Sequence, residues 1–271
     1  MNSGDKKYDL CILIPCYNNL EGLKKSVRSI IYDKGKYLIV ITDDGSKEEI
    51  KKEQLFQGDE ELPIHIIRLP TNKGITIALN TGLQWITENI NCDYIARLDC
   101  GDVCDPQRFY KQVEFLRVNP DVYLLGSWCY FEDPQKKIRY KHRAPEHHKE
   151  IIKELYFRNV FIHPTIIVRS EVLRKIGFYP EEYPHAEDYG WFWSIANKLN
   201  TGIMPMYLVV CEINRKGISR SNRVKQLQSR MAVLKKFGYK FALRKLGILK
   251  IRLLLIIPYP FILFVKRVIS F

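Results

Sequence analysis

The chain has 271 residues, 46% of them hydrophobic, which is enough apolar material for one large α/β domain or two small ones. Its formal charge of +13 would suggest an anionic partner, yet residues 213–271 hold 15 of the 43 Lys and Arg and no Asp or Glu. The first 212 residues therefore carry 28 basic against 30 acidic groups, so the globular part is not a basic nucleic-acid binder.

Asp9 to Ile14 is a short apolar run that stops at Pro15-Cys16-Tyr17-Asn18-Asn19, which predicts a buried strand and a turn. Leu23, Val27, Ile30 and Ile31 then recur with helical spacing. Tyr37 to Thr42 is a second strand, halted by Asp43-Asp44-Gly45-Ser46. Strand, helix and strand with an acidic turn make the first half of a nucleotide-binding unit, although Asp-Gly alone is also a common turn. Ile64 to Leu69 predicts a third strand. Thr71-Asn72-Lys73-Gly74 then opens a helix with Ile75, Leu79, Leu83, Ile86 and Ile90 on its apolar face.

The stretch Asp93 to Phe109 runs a strand, Tyr94 to Leu98, into three carboxylates: Asp99, Asp102 and Asp105. Acids gathered at a strand end repel one another unless they face a divalent metal with its phosphate ligand, or Arg and Lys. An acidic loop of turn formers is the plainer alternative. Pro106 is expected to start a helix carrying Phe109, Val113 and Leu116, and Val122 to Phe131 a strand ended by Asp133-Pro134. The strand ends carry no glycine-rich phosphate loop, which argues against an ATPase or a dinucleotide enzyme.

From residue 135 the pattern becomes a polar connector with His142, His147 and His148, then a helix near Ile151 to Phe157. An apolar strand is expected from Val160 to Val168 across His163-Pro164, followed by a short helix with Ser170 as cap and Gly177 as terminator. Glu187-Asp188 opens a helix with Trp191, Ile195 and Leu199; acids there ordinarily oppose the macrodipole. Between Arg215 and Arg252, Lys and Arg alternate with Leu227, Met231, Leu234, Phe237, Phe241 and Leu246, the pattern of basic amphipathic helices.

Leu253 to Val265 is an apolar run of 13 broken by Pro258 and Pro260. That is short of the ~20 residues a straight spanning helix needs, so the tail is expected to lie in the cytoplasmic leaflet, with packing on the domain's own core as the alternative. Seven cysteines without a Cys-x-x-Cys pair point to reduced thiols in a cytosolic compartment, and Cys100 and Cys104 read as packing residues before metal ligands. The N-terminus lacks the apolar core of a signal peptide, so a cytoplasmic location is expected.

Seven stretches, in order, resemble the family 2 glycosyltransferases of GT-A fold: Ile14-Pro15-Cys16-Tyr17-Asn18; Asp43-Asp44-Gly45-Ser46; Asn72-Lys73-Gly74 with Asn80 and Gly82; Arg97-Leu98-Asp99-Cys100-Gly101-Asp102 with Pro106 and Arg108; His163-Pro164; Glu187-Asp188; and Ile218-Ser219. The resemblance runs from Leu10 to about Arg230 and implies an α/β fold, a mixed but mostly parallel sheet flanked by helices. It implies a catalytic domain over 1–220, with a nucleotide-sugar half (1–134) and an acceptor half (135–220), before a basic tail (221–271). Pro15, Tyr17 and Asp44 would then hold base and ribose. Lys73, Arg97 and Asp99 fall in the donor-binding motifs, Asp99 and Asp102 would hold Mn²⁺ or Mg²⁺, and Asp188 matches the catalytic base.

Two departures bear on the metal. The usual Asp-x-Asp would place its second acid at Gly101, and where relatives commonly show Arg-x-His this chain reads Glu212-Ile213-Asn214. Arg215 and Lys216 could take over the diphosphate charge. The implied activity is inverting transfer of a hexose from a nucleotide-sugar to a hydroxyl of a saccharide, lipid-linked, at the inner face of the plasma membrane, in surface polysaccharide biosynthesis. A lapsed relative that only binds nucleotide-sugar, and a nucleotidyltransferase, stand as alternatives.

Overall fold

Strand β1 (Tyr8–Cys16) is buried on both faces from Leu10 onward, which is why its sequence is apolar without alternation. Leu10, Ile12 and Ile14 point into one core layer, Cys11 and Leu13 into the other. The computed structural model describes residues 7–55, 62–213 and 222–257.

In chain order β1 is followed by α1 (Leu20–Arg28), β2 (Tyr37–Asp43), β3 (Ile64–Arg68), α2 (Ile75–Asn89), β4 (Cys92–Arg97), β5 (Val103–Cys104) and α3 (Arg108–Val118). Then come β6 (Val122–Asp133), β7 (Ile138–His142), α4 (His148–Leu155), β8 (Ile167–Arg169), α5 (Glu171–Ile176), α6 (Glu187–Ala196) and β9 (Asn200–Glu212). Two helices close the described chain, α7 (Arg223–Phe237) and α8 (Phe241–Ile256).

The strands form one sheet in the order β3, β2, β1, β4, β8, β6, β9, β5, with β7 paired to β6. The first four are parallel; β8 runs antiparallel to both neighbours, and β6 and β9 are again parallel. One face is covered by α1 and α3, the other by α2, α4, α5 and α6. Because β1, β2 and β4 are parallel, their carboxyl ends and the turns that follow share one edge of the sheet, where open α/β sheets bind ligands. Gly82 lets α2 approach that sheet: a Cβ there would lie 2.4 Å from Leu13 Cδ1 and 2.7 Å from Thr42 Oγ1.

Several elements differ from expectation. The helix after Pro106 begins at Arg108, because Pro106 and Gln107 form a turn in which the Arg108 N–H bonds the Asp105 carbonyl. The run from Val160 to Val168 is a strand only over Ile167–Arg169. His163–Thr165 coils into one 3₁₀ turn, because Pro164 has no N–H for a ladder and Thr165 bonds back to the Ile162 carbonyl through both its N–H and its hydroxyl. The polar connector contains β7, a hairpin partner of β6, and the long β9 accommodates Pro205 in a register shift against β6, between the pairs Ser127–Met204 and Trp128–Tyr207.

The two basic helices form, and their inner faces join the domain's core: Leu227, Val233, Leu234 and Ile251 pack in the cluster that holds Tyr156 and Trp193. The outer face of α8 stays exposed along Leu246, Leu249, Leu253 and Ile256, one stripe at helical spacing. Among the described residues no helix is long and apolar enough to cross a membrane. The run from Pro258 to Val265 lies outside them.

Candidate active site

The site is assembled from three turns at the sheet's edge. The turn after β1 is stitched to the turn after β2: the Asp44 N–H bonds the Cys16 carbonyl, Asn18 N–H bonds Ser46 Oγ at 2.8 Å, and Lys47 N–H bonds Asn18 Oδ1 at 2.8 Å. Gly45 has φ +70°, and a Cβ there would lie 2.4 Å from the Thr71 carbonyl carbon, so this turn admits no side chain. Asp44 is buried and accepts from Asn72 Nδ2 (3.0 Å), Lys73 N–H (2.7 Å) and Gly74 N–H (2.9 Å), tying the second turn to the start of α2. Pro15 is buried at the end of β1 while Tyr17 stands exposed at the rim with its ring available for stacking. A cleft of about 320 Å³ opens beside these turns, lined by Asn18, Leu20, Lys47 and Ile50 among others.

The third turn separates the three carboxylates. Asp105 is exposed and caps its own turn by accepting from the Gln107 N–H, so it faces away from the site. Asp99 is about two-fifths exposed and its Oδ1 lies 2.5 Å from Nη2 of the buried Arg97. Arg97 also donates to the carbonyls of Leu13 and Leu98, so its guanidinium is fixed from below. Asp102 is buried and accepts from the Glu212 N–H at 2.8 Å. Burial first, then the charge of Asp99, push its carboxyl well above the usual range, opposed by the Glu212 N–H and then by the fully buried Arg108. Arg108 in turn donates to the Arg97 carbonyl and to Gln112. The turn itself hangs on Ser26 of α1, whose hydroxyl lies 2.9 Å from the carbonyls of both Asp99 and Asp102, its one proton shared between them, and accepts from the Gly101 N–H.

The acidic pair enters from α6. Asp188 is half-buried and Asn159 Nδ2 donates to its Oδ2 at 2.8 Å, while its Oδ1 accepts from the Tyr189 N–H. Burial raises its carboxyl to about 6, with Asp99 adding to the rise; the Tyr189 N–H and the Arg230 guanidinium oppose it. Glu187 is buried and pushed up to about 7 by burial and by Asp188. The charge of Asp99 therefore acts on Asp102, Glu187 and Asp188 alike, which places all four acids in one electrostatic site. His163 shares it: burial and then Arg97 hold its ring well below the usual imidazole range, so it is neutral at pH 7, and its Nε2 lies 2.8 Å from the Tyr179 hydroxyl.

Of the residues singled out from sequence, Asp99, Asp102, Arg97 and Asp188 meet here. Pro15, Tyr17, Asp44 and Lys73 line the neighbouring turns. Arg215 and Lys216 lie outside the described residues, as do Asn214 and Ile218-Ser219. Sequence reasoning missed Asn159, which no motif marks, and Arg230, one of many basic residues in the tail. It also passed over the side chain of Glu212, which pairs with Lys25 at 2.8 Å and sits 3.9 Å from where a Cβ on Gly101 would be.

The first 177 residues settle the relationship, since residues 11–177 match the family model described as Glycosyl transferase family 2. The chain belongs to glycosyl transferase family 2. This family 2 glycosyltransferase is 28% identical over 244 residues to the amylovoran biosynthesis glycosyltransferase AmsE of Erwinia amylovora, covering 88% of each chain. It is 30% identical over 167 residues to a UDP-Gal:alpha-D-GlcNAc-diphosphoundecaprenol beta-1,3-galactosyltransferase of Escherichia coli, 60% of this chain and 58% of that one. The mannosyltransferase PcManGT from Pyrobaculum calidifontis, solved with GDP-Man and Mn²⁺, superposes with a TM-score of 0.65 at 14% identity, over 97% of this chain and 80% of that one. That likeness establishes the shared GT-A fold.

The transferase's acids bear on the divalent cation such folds commonly use. Among the described residues no group of three or more His, Cys, Asp or Glu side chains is placed to hold an ion by itself. Asp99 keeps a solvent-facing carboxylate, while Asp102 has one oxygen committed to the Glu212 N–H. The pair fits a cation that a diphosphate helps to hold, since Mg²⁺ commonly takes one or two carboxylates with phosphate oxygens. It does not fit an ion caged by protein alone. Gly101, at φ +101°, occupies a backbone conformation that an aspartate at that position would strain.

Proposed function

We propose that the chain is an inverting glycosyltransferase that moves a hexose from a nucleoside-diphosphate donor to a hydroxyl of a lipid-linked saccharide in surface polysaccharide biosynthesis. The observation that carries this reading is the setting of Asp188, a carboxylate held by Asn159 in the same electrostatic site as Asp99 and raised only to about 6. A general base works best with its pKa near the operating pH, where it is both ionised and basic enough to take a proton. Asp188 accepts the proton of the acceptor hydroxyl as that oxygen attacks the anomeric carbon, on the face opposite the departing nucleoside diphosphate.

Pro15, Tyr17 and Asp44 hold the base and ribose, Lys73 and Asp99 face the diphosphate, and Arg215, outside the described residues, is a further candidate for its charge. Arg97 is buried and serves the donor through Asp99, whose carboxylate it orients. Mn²⁺ or Mg²⁺ held by Asp99 and Asp102 would neutralise charge on the leaving diphosphate. The catalytic domain is residues 1–220, with the donor half ending near 134.

The acceptor class draws on the names of the relatives and on α8. Its exposed stripe, Leu246, Leu249, Leu253 and Ile256, is flanked by the exposed Lys245, Lys250 and Arg252, the make-up of a helix that rests on an anionic bilayer surface. The protein is then peripheral on the inner face of the plasma membrane, without a nucleic-acid partner.

The test is a panel of nucleotide-sugars screened by thermal shift, followed by transfer assays with the donor that stabilises. A micromolar ligand at 100 times its dissociation constant stabilises by about 2.7 kcal/mol, a shift well within detection. Stabilisation by one sugar nucleotide and release of its nucleotide only with acceptor present is the expected result. A chain that no nucleotide-sugar stabilises is not this enzyme.

A further inference from the structure

The β6–β7 hairpin carries a surface that none of the donor chemistry uses. Trp128 and Tyr130 of β6 and Tyr207 of β9 form a row of half-buried rings: Tyr130 and Tyr207 stack with centroids 4.6 Å apart, and Trp128 meets Tyr207 at 5.4 Å. Above them stand three exposed cations at alternate positions. Arg139 lies 3.9 Å over Tyr130, Lys141 5.6 Å over Tyr207, and Arg143 5.2 Å over Trp128. Arg143 also donates from Nε to the Tyr207 hydroxyl at 2.6 Å, and Trp128 donates from Nε1 to the Ala144 carbonyl. The spacing of two residues along an extended strand puts all three cations on one face.

No carboxylate among the described residues forms an ion pair with any of the three; Glu132, opposite Arg139 in the strand register, does not. Rings under the cations restrict their side chains before any ligand arrives, and a guanidinium over a ring can still offer its remaining N–H groups to phosphate oxygens. Three cations on one face, without ion-pair partners among the described residues, make a candidate anion site. The platform lies on the same side of the sheet as the base. Trp128 packs against the core layer that contains α4 and α6. The Arg143 carbonyl accepts from Arg158 Nη2 at 3.4 Å, and the next residue, Asn159, holds Asp188.

We propose that Arg139, Lys141 and Arg143, stacked on Tyr130, Tyr207 and Trp128, bind the phosphate groups of the acceptor, so that a hydroxyl of its saccharide is presented to Asp188. This rests on the acceptor reading above: a saccharide joined to lipid through a diphosphate carries both an anion for the cations and sugar faces for the aromatic rings.

The experiment titrates the full chain with n-octyl diphosphate by calorimetry, with the donor's nucleoside diphosphate, UDP or GDP, at saturation so that the donor subsite is filled. Octyl glucoside, below its micelle concentration, is the uncharged control. The wild type binds the diphosphate probe, and the combined variant Arg139→Gln, Lys141→Gln, Arg143→Gln loses affinity by roughly tenfold or more, with nucleotide affinity and melting temperature unchanged. Equal affinity in that variant overturns the proposal. If the combined variant does not fold, Arg139→Gln alone, an exposed position, carries the test with roughly a threefold loss expected and none overturning it. Vesicles of phosphatidylglycerol separate the two sources of phosphate. Vesicle binding that survives in the variant supports the acceptor site. Vesicle binding that falls in step with the probe assigns the cluster to bilayer headgroups and overturns it. A chain that binds nucleotide but not octyl diphosphate sinks this inference alone, whereas one that binds neither sinks the transferase reading with it.

Discussion

Asn159 Nδ2 donates to Asp188 Oδ2 at 2.8 Å, so an amide from the loop after α4 fixes a carboxylate at the start of α6. One oxygen of Asp188 is thereby oriented while the other is taken by the Tyr189 N–H, so the carboxylate is held in place from both sides.

Asp188→Asn keeps that geometry, because the substituted amide oxygen can still accept from Asn159, but it removes the proton acceptor. Turnover should fall by roughly 10²–10⁴-fold with nucleotide affinity unchanged. Steady-state kinetics beside a nucleotide titration checks this, and a variant that keeps more than about a tenth of its turnover places the base elsewhere.

Glu187 and Asp188 set opposite pH trends for activity and stability. Transfer needs Asp188 ionised, so kcat/KM should rise with pH along an acid limb with apparent values between about 6 and about 7 that belong to the pair. Both folded values lie above the unfolded 3.8 and 4.5, so the folded state binds protons more tightly and loses stability as pH rises from about 4 to about 7. Asp102 acts in the same direction. Urea unfolding across that window should show the decline, and Asp188→Asn should flatten part of it.

Arg230 lowers the carboxyl of Asp188 by its charge without bonding to it, and its Nε is buried with no hydrogen-bond partner among the described residues. Arg230→Gln should move the acid limb of kcat/KM to higher pH while donor affinity holds, and Arg230→Lys should bring it part of the way back. A pH–rate profile that does not move assigns Arg230 a packing role over Tyr189, 5.3 Å from its guanidinium carbon, and nothing more.

If Asp99 and Asp102 act through a divalent cation, chelation and mutation remove the same interaction and are not additive. Asp99→Ala with EDTA should then be no weaker in donor binding than the wild type with EDTA. Undiminished wild-type transfer in EDTA would shift the diphosphate charge onto basic side chains such as Arg215 and Lys216.

Leu249→Glu with Leu253→Glu should release the protein from phosphatidylglycerol vesicles while leaving its melting temperature in place, since both side chains are half exposed. Removing residues 247–271 should instead lower the melting temperature by several degrees, because Ile251 is buried and Gly247 packs on the Tyr156 backbone. Cosedimentation and melting curves of both variants check the two halves.

The parallel half of the sheet was legible because β1, β2 and β4 are apolar runs closed by turn formers, and their order alone brings the turns of Pro15, Asp44 and Asp99 to one edge. In the other half β6 was legible over Val122 to Phe131, but its antiparallel partners were not. In β7 the run Ile138-Arg139-Tyr140-Lys141-His142 is polar on one face and solvated on both, so its periodicity signals nothing about pairing. Pro164 converts an apolar run into a 3₁₀ turn, a local backbone effect that hydrophobicity does not register. Asp188 was legible as part of an acidic pair at a helix start, but its environment was not. Asn159 and Arg230 reach it from 29 and 42 positions away in the chain, and only folding sets them beside it.

Because the guanidinium beside Asp188 belongs to α7, and α7 is braced by α8 through the bond from Arg223 to the Leu254 carbonyl, synthesis from the N-terminus completes this site out of order. The turns proposed to hold the donor leave the ribosome first, Asp188 follows, and the charge that lowers its carboxyl arrives with the last described helices. A polypeptide interrupted before residue 223 would carry Asp188 without the guanidinium that lowers its carboxyl.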